Sequence, residues 1–93
     1  MIPTKSENPT GLYQKYIVTK VSGKPLPIGS EYFVLRLDEV EPVNVEHINA
    51  CRLAVLAYAD AIANTKPEMS RDLYDKYNKA VGNDAQLKAT PTL

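Results

Sequence analysis

Hydrophobic and polar positions follow a period near two in the first half of the chain and a helical period in the second. Residues 14–21 (QKYIVTKV) and 31–38 (EYFVLRLD) are rich in β-branched and aromatic residues and are bounded by Gly, Pro and Ser, so both read as strands. The connector, 22–30, holds Gly23, Pro25, Pro27 and Gly29, which suits a wide, stiff hairpin loop and is too short for a crossover helix. Alternation places Ile17, Thr19 and Val21 with Phe33, Leu35 and Leu37 on one side. Tyr16, Val18 and Lys20 with Tyr32, Val34 and Arg36 fall on the other.

After Glu41 and Pro42 the period lengthens. Asn44 is placed to N-cap a helix running to about residue 64, with Glu46 favourable in its first turn. Ile48, Cys51, Val55, Tyr58, Ala59 and Ile62 recur at helical intervals as one apolar stripe. Lys66 and Pro67 mark a stop and a restart. Thr65 and Glu68 have capping-box spacing, and Met69, Leu73, Tyr77 and Ala80 or Val81 continue a shorter helix towards Gly82. Leu53 and Leu56 share an arc with Asn49, Arg52 and Asp60; either the second helix or another molecule covers them. The expected architecture is α+β: an N-terminal β-hairpin over 14–38 packed on two C-terminal α-helices over 44–81, in one domain spanning 1–93, with mobile arms at 1–11 and 83–93. Two helices cover only one side of a hairpin, so the other side is expected to meet a ligand or a further protomer, making the protein a homo-oligomer, a dimer or tetramer.

Ninety-three residues allow one small core. Eleven Lys and Arg balance eleven Asp and Glu, so no bulk charge exists to hold DNA by counterion release. A helix-turn-helix reading of the two helices fails for the same reason, since Glu68, Asp72 and Asp75 lie among the cations of the second. Cys51 is the single cysteine, which fits a reducing compartment and excludes an intrachain disulfide. No apolar run approaches the roughly 20 residues of a membrane helix, and the first residues lack a secretory apolar region, so the cytoplasm is the expected location.

Catalytic chemistry is sparse. His47 and Cys51 stand four residues apart in the first helix, too few for a metal, and Cys51 falls on the core stripe, where a thiol is an inert small hydrophobe. Asp38, Glu39 and Glu41 read as a solvated acidic turn ahead of a helix; a small hydrolase using them is a third and distant reading. No catalytic residue, metal or cofactor is assigned. Tyr13, Tyr16 and Tyr32 lie beside Lys15, Lys20 and Arg36, a mixture that stacks on bases and pairs with phosphates but also marks plain protein interfaces. On the residues alone the plain interface is favoured.

The run KYIVTKVSGKPLPIGSEYFVLRLDE followed by HINACRLAVLAYADAI resembles a family of small phage and bacterial proteins. The resemblance is carried by Lys15, Tyr16, Val18, Gly23, Pro25, the YFVL segment from Tyr32, Asp38, Arg52, Tyr58 and Ala59, and covers about residues 15–77. That family in turn resembles a phage anti-CBASS sponge, a small oligomer that sequesters cyclic dinucleotide immune signals at subunit interfaces without cleaving them. The resemblance implies a non-enzymatic binder of a cyclic dinucleotide such as cyclic GMP-AMP, acting in the host cytoplasm where the protein is phage-encoded. Tyr16 or Tyr32 would stack on a base; Lys20, Arg36 and Arg52 would pair with phosphates; His47 and Asn49 would donate to phosphate or base edges near the helix N-terminus. Arg36→Ala or Arg52→Ala is then expected to weaken binding with the fold intact. The main alternative is an interaction module that docks on a host protein through its sheet face.

Overall fold

The structure, a computed structural model, describes residues 1–82. The arm expected over 83–93 lies outside them. The chain divides into two units, Met1–Val34 and Leu35–Leu93, and the boundary falls inside the second run read as a strand.

Neither predicted strand forms. Among the described residues there are two α-helices, α1 (Val45–Ala61) and α2 (Pro67–Tyr77), and no strand, so the α+β hairpin architecture gives way to a small helical fold preceded by irregular chain. The connector folds locally. It closes two separate turns, with the Gly23 N–H donating to the Lys20 carbonyl at 3.1 Å and the Ser30 N–H to the Pro27 carbonyl at 3.2 Å. Gly29 takes φ +84° as the third residue of the second turn, a conformation that favours glycine. Among the described residues no backbone hydrogen bond joins residues 14–21 to residues 31–38, so the β-branched runs are left without a ladder. β-propensity records a fit to neighbouring strands and does not hold a lone segment in a sheet. With the sheet goes the uncovered sheet face on which the sequence argument for an oligomer rested.

The N-terminal stretch has structure of its own. The Thr4 N–H donates to Glu7 Oε1 at 2.9 Å while the Glu7 and Asn8 N–H groups return to the Thr4 carbonyl, each at 3.1 Å. The Thr4 backbone and hydroxyl together hold the Glu7 carboxyl below its ordinary range.

In the second unit the helix start matches the sequence expectation. Asn44 caps α1, its side chain accepting the His47 N–H at 3.0 Å. α1 stops at Ala61, and the Lys66 N–H donates to the Ile62 carbonyl at 2.7 Å in the turn that follows. The capping box read at Thr65 and Glu68 is not made: Lys66 is the N-cap of α2 with no side-chain cap bond, Thr65 Oγ1 donates to the Ile62 carbonyl instead, and Pro67 supplies the preset φ of a first helical position. α2 ends at Tyr77, short of Gly82.

The core is small. Ile48, Cys51, Leu56, Ala59 and Val81 are its buried apolar residues, and Ile48 and Leu56 are its largest fully buried side chains. Relative to the expected stripe it is rotated towards Leu56 and Arg52, leaving Tyr58 exposed and Val55 half-buried. α1 and α2 pack on each other, and Tyr74 Oη donates to Asp60 Oδ1 at 2.6 Å across the pair. That bond favours the neutral phenol and raises the Tyr74 pKa. Among the described residues no helix is long and apolar enough to cross a membrane.

Candidate functional site

The site of the second unit is built around two arginines. Arg36 lies in the chain just before the acidic turn and folds over it: Nη2 and Nε reach the Asp38 carboxylate at 2.9 and 3.1 Å, Nη1 donates to the Pro42 carbonyl at 3.0 Å, and Nη2 also meets the Val40 carbonyl. Asp38 accepts the Val40 N–H at 2.8 Å as well. The Arg36 guanidinium first, and that N–H second, hold the Asp38 carboxyl down at about 2.

Arg52, on the second turn of α1, is only 6 % exposed. A buried guanidinium needs acceptors, and this one has three: Nε donates to the Leu37 carbonyl at 3.0 Å, Nη1 to the Lys79 carbonyl at 2.8 Å, and Nη2 to Glu39 Oε2 at 3.4 Å. Its guanidinium carbon lies 5.7 Å from the centre of the Tyr77 ring, and Lys76 Nζ lies 5.6 Å from the same ring. Asp38 and Glu39 of the supposed solvated turn are thus the ion-pair partners of the two arginines.

Arg36, Arg52, Lys76 and Tyr77, with Leu35 and Leu37, line one cleft of about 390 Å³. Lys76 and Tyr77 are outside the expected ligand set: Tyr77 falls at a helical interval of the second helix, and Lys76 counts only among that helix's cations. The one available signal was a cation in the last turn of a helix beside an aromatic residue, which by itself says little. Among the described residues Lys76 makes no hydrogen bond or ion pair, so its ammonium is the cation of this cleft with donors to spare.

The other expected ligand residues lie elsewhere. Tyr16 and Tyr32 come together within Met1–Val34, lining a cleft of about 460 Å³ with Gln14, Ile17, Leu26 and Glu31. Lys20 lines neither cleft and is exposed. His47 is exposed with its ring Nε2 3.6 Å from Cys51 Sγ, and Asn49 uses its side-chain oxygen to accept the Val81 N–H at 2.8 Å. So the seven residues fall into a tyrosine pair, an arginine pair, and Lys20, His47 and Asn49 placed apart from both clefts. Among the described residues no three His, Cys, Asp or Glu side chains are grouped to hold a metal ion.

The arginine cleft offers cations, an aromatic ring and apolar walls, and its one carboxylate is held ionised by Arg36. Compared with known proteins, the chain matches no family model, no curated protein and no solved structure.

Proposed function

We propose that this chain is a non-enzymatic binding protein for a small anionic ligand carrying an aromatic ring, a cyclic dinucleotide such as cyclic GMP-AMP being the best example. The observation that carries the reading is the convergence of Arg36, Arg52 and Lys76 with Tyr77 on one cleft, from three separate parts of the sequence. Three cations against the single carboxylate of Asp38 in its lining favour a phosphate, and Leu35, Leu37 and Tyr77 favour a flat apolar moiety beside it. Lys76 is the first phosphate contact in this reading, because its ammonium is not committed to another side chain. Arg36 is the second, giving up carbonyl bonds for a doubly charged partner. Arg52 acts through position, holding the floor of the cleft.

The protein-docking alternative loses the sheet face it was to use, since no strand is present among the described residues. The test is isothermal calorimetry with native mass spectrometry of the purified protein mixed with cyclic GMP-AMP and a panel of cyclic di- and trinucleotides. Binding that returns intact nucleotide on heating, and that weakens at least tenfold in Lys76→Glu with unchanged helix content, supports the reading. No bound mass across the panel removes it, and release of a cleaved product makes the protein an enzyme.

A further inference from the structure

Asp38 is the one acid lining the arginine cleft, and a phosphate gains nothing from a carboxylate beside it. Part of that carboxylate is committed within the chain. Oδ1 accepts from Arg36 Nη2 at 2.9 Å, from the Val40 N–H at 2.8 Å and, at 3.3 Å, from Arg36 Nε, which fills its two lone pairs. Oδ2 accepts only from that same Nε, at 3.1 Å, so among the described residues it has room for one more donor. The Asp38 side chain is 50 % exposed, and Arg36 keeps its carboxyl ionised at neutral pH. The cleft therefore holds a charged acceptor with one unused position.

An ionised carboxylate takes an N–H and repels a carbonyl or phosphate oxygen. On a ligand made of phosphates and flat rings, the N–H groups lie along the ring edge. Adenine and guanine each carry an exocyclic amine there. Hypoxanthine has an oxygen where adenine has its amine and a bare C–H where guanine has its own. The cleft is matched to the two ends of such a ligand by sign of charge. Lys76, whose ammonium has donors to spare, suits the phosphate; Tyr77, Leu35 and Leu37 suit the face of the ring; Asp38 suits its amine-bearing edge.

We infer that Asp38 is the base-reading residue of this cleft, its Oδ2 accepting the exocyclic amine of a purine, so that the ligand class is the aminopurine nucleotides. This rests on the anion-binding reading of the cleft and adds its specificity. The experiment is calorimetry of the full chain with cyclic GMP-AMP and with cyclic di-IMP, which keeps both purine rings and both phosphates and lacks the exocyclic amines. The parent should bind cyclic GMP-AMP about tenfold or more tighter, the worth of one hydrogen bond to a charged group. In Asp38→Asn, with helix content as in the parent, the preference should vanish or reverse, because an amide also donates and so accommodates the hypoxanthine oxygen. If Asp38 serves only to hold Arg36, both ligands weaken together in Asp38→Asn and their ratio keeps the parent value, which overturns the inference. Equal affinities in the parent overturn it without any variant and leave the anion-binding reading standing, whereas a parent that binds neither ligand removes both.

Discussion

Arg52 donates to the carbonyl of Lys79, 27 residues further along the chain, at 2.8 Å, while the same guanidinium holds the Leu37 carbonyl at 3.0 Å. One side chain on α1 therefore ties down both the segment that enters the helical pair and the segment that leaves it. Removing the buried guanidinium takes the donor from two carbonyls and leaves a cavity, while the Glu39 carboxylate, 56 % exposed, returns to water. Arg52→Ala should cost about 2 kcal/mol, and Arg52→Lys about 1 kcal/mol, since one ammonium cannot reach acceptors set around a planar fork. Urea unfolding followed by circular dichroism checks this, with a lowered midpoint at unchanged slope as the expected result. An unshifted midpoint in Arg52→Lys would show that the carbonyl contacts carry no stability. With that outcome Arg52→Ala becomes a poor probe of ligand binding, because a loss of binding could not be told from a loss of fold.

How much was legible before the structure differs between the two halves of the chain, for a physical reason. Helical caps and periods are local, so Asn44 as the cap of α1 and a second helix after Pro67 could be read from neighbours alone. The face that α1 buries could not, because a periodicity argument counts Arg52 as polar and so centres the core away from it. Leu56, set aside as surplus on a polar arc, is completely buried beside Arg52 for the same reason. Strands are not local: residues 14–21 and 31–38 have the composition of strands, and Tyr16 and Tyr32 even line one cleft, but a ladder needs backbone bonds between the runs and none forms among the described residues. Of the site, Arg36 and Arg52 were found as residues though not as neighbours, and the Lys76 and Tyr77 that complete their cleft were missed, because convergence of segments some 40 residues apart is a tertiary fact.

Asn49 sits near the helix N-terminus, where a ligand-facing amide was expected, and its Oδ1 instead accepts the N–H of Val81 at 2.8 Å. Val81 is buried, so this bond fastens the chain beyond α2 onto α1 and satisfies an amide that water does not reach. Asn49→Ala should destabilise the fold by about 1–2 kcal/mol, and Asn49→Asp, which keeps the acceptor, by less. Hydrogen exchange reads it at one atom. The Val81 amide should exchange at least tenfold faster in Asn49→Ala, while amides in the middle of α1 change far less. Equal protection of Val81 in both proteins would mean that burial alone shields it.

Asp38 gives the fold its clearest acid-sensitive point. Its folded-state pKa of about 2 lies below the ordinary 3.8, so the folded chain binds this proton less readily than the unfolded one. The Arg36 contact therefore contributes fully above about pH 4 and is lost as the pH falls from 3.8 through 2. Asp38 is exposed, so solvent and salt screen the pair and the change should be local to residues 36–42, with the helical core unaffected. Carboxyl-carbon NMR of the Asp38 side chain across this range is the direct measurement. The midpoint should stand near 2 in the parent, move most of the way towards 3.8 in Arg36→Gln, and rise partway when salt is added to the parent. In Arg36→Gln the Val40 N–H still donates to the carboxylate, so a midpoint somewhat below 3.8 should survive there; a parent midpoint already near 3.8 would show that Arg36 does not hold Asp38 in solution.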